Sequence, residues 1–329
     1  MAYENQHSLF ERIKQKLDPN LSFVDEVADL LGLSNDSVYR RLRGETALTF
    51  EEALVLAGHF GIALEDFSRV KNKDSVLFGR STFRGEASDF DEYLTKTEQY
   101  LKAFAEAKTK TCFFAAKDIP VFHFFQFPEF AEFKLFFWLK TMHGNAAIKS
   151  AKFDFNIIPE TILKKAIGLA KLYFTIPTVE LWNDDTVNTA IRQIQYFSEA
   201  GWMTNESVTK KLCDKLIELV ELLAIQAESN SKFWNGNQVR PETSFDLYYN
   251  ELTVLDNSLL FKSESSQLAL VGYHSMDYLF TSHAGFCSES DTYFQKQMRK
   301  SIKISGTAEK ERIKFFNRIY EKINALKQK

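Results

Sequence analysis

Cysteine is scarce in this sequence: Cys112, Cys213 and Cys287 are the only three, far apart and outside any Cys-x-x-Cys spacing. That spacing excludes a disulfide framework and the usual structural zinc patterns, and leads us to expect a reduced, cytoplasmic protein. A basic start followed by an apolar segment is missing at the N-terminus, so no secretion signal is expected. Long apolar runs are missing as well. The most apolar stretch, 120–142, is interrupted by Pro128, Glu129, Glu132 and Lys134, which argues against a membrane span and for no membrane partner. Positive charge is not in excess, and a net charge of −3 excludes a general polyanion-binding surface.

Reaction motifs are missing too. The sequence has no HExxH, G-x-S-x-G turn, phosphate-binding Walker loop or dinucleotide fingerprint. We therefore expect no catalytic residues, no metal and no cofactor. His274, His283 and Cys287 offer zinc-type donors without a recognised spacing. A Cys287–His283 nucleophile pair would straddle Gly285 and lacks an identifiable oxyanion donor. Phenylalanine, by contrast, is abundant. Its 31 rings imply thick aromatic packing or a sizeable apolar pocket. A chain of 329 residues, 45% hydrophobic, predicts about two domains with large cores.

The stretch 22–66 organises the rest. Ser22 with Asp25 has capping spacing before a helix over 23–31. Gly32 permits a sharp turn, and Ser34 caps a second helix, 35–42, whose Val38 and Leu42 face inward. Gly44 ends it. Thr49 and Glu52 form another capping pair before a third helix with Leu54, Ala57 and Phe60 on one side. Two short helices across a glycine turn read as a helix-turn-helix, with Ser34, Asn35, Asp36, Ser37, Tyr39, Arg40, Arg41, Arg43 and Thr46 as candidate DNA contacts. Amides, hydroxyls and guanidinium groups are the donors and acceptors that read base edges and grip phosphates.

These residues carry a family resemblance. Ala28, Gly32-Leu33-Ser34, Val38, YRRLRG at 39–44, Thr49 with Glu52, and LAGHFGI at 56–62 resemble the DNA-binding domain of phage-repressor-like (XRE-type) bacterial regulators. The resemblance covers about the first fifth of the chain. It implies a compact multi-helix domain that binds double-stranded DNA. Charge works against it, with 7 Lys/Arg and 12 Asp/Glu in residues 1–70. The case for DNA therefore rests on the cluster of Arg40, Arg41 and Arg43, with Arg69, Lys71, Lys73, Arg80 and Arg84 following.

Upstream, Leu9, Ile13 and Leu17 mark a helix before the Asp18-Pro19-Asn20 break. Downstream, a basic segment over 68–85 reads as a linker or as a basic arm beside DNA. Periodicity then predicts a helix over 90–107 and a central helix over 129–141 with apolar residues on nearly every side; the β-favouring TCFFAA at 111–116 reads as a buried strand or a buried helical turn, and 152–158 as a further strand. Helices are expected from 159, over 184–199 and over 207–228. A loop follows over 232–244, then strands over 245–250, 253–262, 267–273 and 278–281, with Asp256-Asn257 as a hairpin turn. Ser288 with Asp291 would cap a helix over 288–299, and another closes the chain over 307–326. The basic run 296–305, with Ser301 and Ser305, reads as a solvated helix end that also suits phosphate.

The fold class is thus multidomain: an all-α helix-turn-helix domain at 1–70, a basic linker at 71–88, and an α+β effector or dimerisation domain at 89–329. That last domain combines a helical block with a small mixed or antiparallel sheet. Its segments AAKDIP, EFKLFFW and IPTVELW resemble uncharacterised domains attached to bacterial helix-turn-helix proteins. Lys117, His123, Gln126, Phe130 and Trp138 are its candidate effector-pocket residues. The function expected is a sequence-specific, ligand-sensing transcription regulator. Its expected partners are double-stranded DNA, a second copy in a homodimer, and a small-molecule or protein effector. The alternatives are an interaction scaffold with a non-reading helix-turn-helix, and a small-molecule enzyme fused to one.

Overall fold

The computed structural model describes residues 4–17, 21–62, 75–81, 87–142, 148, 150–240, 243–251, 256–273 and 277–327. The Asp18-Pro19-Asn20 break, most of the basic segment 68–85, His143 and His274 lie outside the described residues. The chain divides into two compact units, Met1–Ser75 and Val76–Lys329.

The first unit is helical: α1 Glu4–Lys16, α2 Phe23–Leu31, α3 Asn35–Leu42 and α4 Phe50–His59. Each boundary has a local cause. Ser22 accepts from the Asp25 amide and Ser34 from the Ser37 amide. Thr49 and Glu52 close a reciprocal capping box. Gly32 turns the chain at φ 64°, a region that penalises any Cβ. Leu9, Phe10, Ile13, Val27, Ala28, Val38, Leu56, Ala57 and Ile62 form the core. Burying a side chain such as Val38 contributes about 1.5–3 kcal/mol. Helix α4 is rotated from the expected orientation. Leu56 is buried, whereas Leu54 is 47% exposed, because Ala53, Leu56, Ala57 and Phe60 make the inward stripe at three- and four-residue spacing.

The second unit is a mixed α/β structure. Among the described residues its main sheet has eight strands in the order β1-β9-β8-β7-β2-β3-β6-β10. The strands are β1 Gly79–Ser81, β2 Lys110–Ala115, β3 Thr178–Trp182, β6 Phe245–Tyr249, β7 Ser258–Ser263, β8 Gln267–Tyr273, β9 Asp277–Thr281 and β10 Ile302–Lys303. A separate two-stranded ribbon pairs β4 Phe233–Trp234 with β5 Asn237–Gln238. Strands β2, β3 and β6 run parallel, joined by helical crossovers, and β7–β9 form an antiparallel meander on the other side of β2. The helices are α5 Ala87–Ala105, α6 Val121–Phe124, α7 Pro128–Met142, α8 Glu160–Phe174, α9 Asn188–Glu199, α10 Glu206–Ser229, α11 Ala284–Lys300 and α12 Glu309–Lys327.

Alternation along the strands sorts two cores. Cys112, Phe114, Trp182, Phe245, Leu247, Leu259 and Phe261 join the large aromatic core with α5–α10 and α12. Phe113, Ala115, Val179, Leu181, Leu260 and Ala269 face Cys287 and Phe294 of α11 instead. Among the described residues the helical layer is therefore thick on one face and a single helix deep on the other.

Several expectations change. The segment 178–182, left unassigned between two helices, is a fully buried central strand. The strand expected over 152–158 reduces to one bridge, Phe153 to Met203. Asp256-Asn257 is no hairpin turn, since β2 and β3 separate β6 from β7. Helix α11 begins at Ala284, capped by His283 Nδ1, rather than at Ser288. Part of the expected linker is structure: Gly79–Ser81 pairs with β9, and a Cβ on Gly79 would lie 2.5 Å from the Phe280 ring. The hydroxyls of the 296–305 run are committed internally, Ser301 donating to Gln297 O and Ser305 accepting from the Leu247 amide.

Candidate functional site

In the first unit, helix α3 presents the residues expected to meet DNA, and most of them already have partners. Asn35 Nδ2 donates to Asp25 Oδ1 at 2.8 Å, tying α3 to α2. Ser34 and Ser37 engage each other at the cap. Arg40 pairs with Asp36 at 3.2 Å and Arg43 with Glu45 at 2.6 Å, both in solvent. The hydrogen bond from Arg43 lowers the Glu45 pKa. Tyr39 is 49% exposed and open to a partner.

Arg41 belongs elsewhere. Its guanidinium grips both carboxylate oxygens of Glu52, at 2.8 and 3.2 Å, and also donates to Ser37 O. Burial raises the Glu52 pKa, but Arg41 and the Thr49 amide outweigh it and hold the carboxyl below its usual value. Arg41 thus acts as a strut between α3 and α4. Thr46 contributes backbone, its amide donating to Arg40 O and its carbonyl accepting from Gln6 Nε2. Gln6 also donates to Arg41 O and accepts from the Leu48 amide, so α1 fixes the loop after α3.

The second unit holds a cavity of about 1010 Å³. Its floor is the sheet face around Phe114, Leu259, Phe261, Leu268, Leu270, Tyr278 and Phe280. Its walls are α5, with Tyr93, Leu94, Tyr100, Leu101 and Phe104, and α7, with Lys134, Phe137 and Trp138. The chain leaving β2 closes one end through Lys117, Asp118, Ile119 and Pro120. This is where the sheet changes from parallel to antiparallel, next to the carboxyl end of the first parallel strand. Open α/β sheets characteristically place ligands beyond those ends. Asn257 Oδ1 accepts from the Asp118 amide at 3.1 Å and holds the rim.

Of the five expected pocket residues, Lys117 and Trp138 line this cavity. Phe130 does not, because it packs on Phe124 and Phe133 in the core. Gln126 is buried, with Oε1 lacking a partner among the described residues. His123 turns away from the cavity. On the single turn of α6, Phe122 and Phe124 line the cavity while His123 reaches the sheet.

His123 belongs to a closed polar cluster. Its Nε2 donates to Glu180 Oε1 at 2.9 Å, the Tyr173 hydroxyl donates to the same oxygen at 2.7 Å, and Trp182 Nε1 donates to Oε2 at 2.9 Å. Lys232 donates to Tyr173 O at 2.9 Å and lies 4.1 Å over the Tyr173 ring. Glu180 and Lys232 are completely buried. Burial pushes Glu180 up, yet attraction to His123 and Lys232 and its hydrogen bonds hold it below the usual carboxylate value. Burial pushes Lys232 down to about 7, against the pull of Glu180 and Cys112. Enclosed on all sides, the cluster pins α6 and α8 to β3. Sequence reading missed Glu180, Tyr173 and Lys232. A glutamate inside an otherwise apolar TVELW strand is the signal that marks them.

Cys287 donates to Thr281 O from a buried position, burial raises its pKa, and His283 Nδ1 is taken up in capping α11. Among the described residues no cluster of His, Cys, Asp and Glu could hold a metal ion, and no helix is long and apolar enough to cross a membrane. Compared with protein-family models, curated proteins and solved structures, the chain matches none.

Proposed function

We propose that this protein is a sequence-specific DNA-binding transcription regulator, with the first unit as reader and the second as sensor. The observation that carries the reading is the α2–turn–α3 pair. A left-handed Gly32 and a Ser34 cap join two short helices, and Asn35, Asp36, Tyr39, Arg40 and Arg43 are exposed along α3. A short helix braced by α2 behind and α4 beside it has the form that enters a major groove. The exposed Arg40–Asp36 and Arg43–Glu45 pairs are weakly held in solvent, so phosphate or a guanine edge competes for both arginines. The cavity supports the sensor role, since it is a preformed apolar site with convergent polar groups.

A second reading, a protein-interaction scaffold, is favoured by the same ion pairs. Arg40, Arg41 and Arg43 each have a carboxylate partner, which leaves the face of α3 close to neutral. Selection of random duplexes by the full chain at low salt separates the two. Enrichment of a defined sequence, weakened by Arg40→Ala, supports the reader, and a pool that stays random supports the scaffold.

A further inference from the structure

The geometry points to a ligand class for the cavity of the second unit: an amphipathic carboxylic acid, its apolar body on the aromatic floor and its carboxylate on the Lys134 ammonium. This deepens the sensor reading above and rests on it. The volume, about 1010 Å³, stands at the top of the roughly 300–1,000 Å³ range that drug-sized ligands occupy. A small polar metabolite would leave most of that apolar surface uncovered. The occupant therefore has a large apolar part.

Lys134 supplies the polar end. It is 5% exposed, on the α7 face that walls the cavity. Among the described residues its ammonium has one hydrogen-bond acceptor, Gln193 Oε1 at 2.6 Å, and it sits 4.3 Å over the Phe124 ring. An ammonium carries three donors, and a buried charge is costly unless it is paired. Burial lowers its pKa to about 8, with Asp118 pulling the other way, so the group still carries charge near neutrality. A carboxylate satisfies both the charge and the unused donors. An alcohol satisfies a donor only, and an amine repels. Beside it, Asp118 Oδ1 is a buried acceptor without a partner among the described residues, placed to take a hydroxyl from the same ligand.

The test uses the full chain and calorimetric titration with dodecanoate, dodecanol and dodecylamine, each below its aggregation threshold, and naphthylacetate as an acid with an aromatic body. At least one acid binds about ten- to a hundredfold more tightly than the alcohol, the fold-change of a hydrogen bond to a charged group. The amine binds no better than the alcohol. Lys134→Met brings the acid down to the level of the alcohol while the alcohol still binds, which shows the variant is folded. Lys134→Arg keeps the preference. Leu270→Trp, which fills the floor, removes binding of all four. Which acid binds more tightly tells an aliphatic from an aromatic body. Equal affinity for acid and alcohol, an unchanged acid affinity in Lys134→Met, or no binding of either acid overturns the proposal. Because the titration contains no DNA, these outcomes are independent of whether the first unit reads a sequence.

Discussion

Glu180 offers the sharpest perturbation, because Glu180→Gln changes its charge while nearly keeping its volume. Three donors converge on the carboxylate, from His123, Tyr173 and Trp182. In the variant the amide nitrogen meets a donor, leaving at least one buried N–H or O–H unsatisfied at about 1–3 kcal/mol. The variant also leaves Lys232 without its buried counter-charge, and breaking a buried pair costs about 3–5 kcal/mol. Lys232 can shed its proton instead of staying charged, which at pH 6 caps the charge cost at about 1.4 kcal/mol, one unit from its pKa, so with the unsatisfied donor the expected loss is about 2–4 kcal/mol near pH 6. The sign of the pH dependence follows from Lys232. Its folded pKa, about 7, lies below the ordinary lysine value, so the folded state binds fewer protons and stability from this group rises with pH above about 7. Without Glu180 that pKa falls further. Near pH 9 the lysine is already mostly neutral in the parent, the charge component fades, and the loss shrinks to about 1–3 kcal/mol. Urea unfolding followed by tryptophan fluorescence reads the second unit alone, since Trp138, Trp182, Trp202 and Trp234 all lie in it. Adding Lys232→Met to the variant regains part of the loss, with a coupling of about 0.5–3 kcal/mol. A loss below about 1 kcal/mol near pH 6, or a loss independent of pH, refutes the paired-charge account.

Arg41→Ala is expected to destabilise the first unit by about 1.5–3 kcal/mol, the worth of hydrogen bonds to a charged group, with faster amide exchange over α3 and α4 measured by mass spectrometry. Arg40→Ala should leave that exchange unchanged and lower affinity for a selected duplex; equal affinity would remove Arg40 from the reading surface. Gly79→Ala drives a methyl into the Phe280 ring and should cost about 1–3 kcal/mol by overpacking, read as a lower urea midpoint. Glu264, held at about 2 by its own amide, the Thr109 amide and hydroxyl and the Lys108 amide, contributes stability above the ordinary glutamate pKa that disappears as pH falls toward about 2. An NMR titration of its side-chain carbon should place the midpoint well below that of a free glutamate.

The first unit was legible residue by residue because its signals are local. Ser22, Gly32, Ser34 and the Thr49–Glu52 pair act within four positions of their own place in the chain. The inward side of α4, Leu56 rather than Leu54, was ambiguous between adjacent apolar residues, and the bond from Arg41 to Glu52, eleven positions on, was not legible. The second unit resisted because its partners are distant. His123 and Glu180 are 57 residues apart, and Lys232 and Tyr173 are 59. Strand β3 follows Pro177 and carries a glutamate, so its pattern resembled neither a half-exposed strand nor an apolar run. Lys134 counted in the sequence only as a charge interrupting an apolar run. In the fold that same interruption is the buried cation of a cavity wall, and only tertiary packing from α5, α7 and β7–β9 makes it one.

Gln6 has a consequence for anyone handling this protein. One side chain in α1 fastens three backbone groups of the loop after α3, at Arg41, Thr46 and Leu48. The shape of that loop is therefore set from some forty positions upstream, by a residue six from the start of the sequence. Removing α1, or replacing Gln6 by alanine, therefore releases all three backbone groups at once, and with them the loop bearing Arg43 and Thr46.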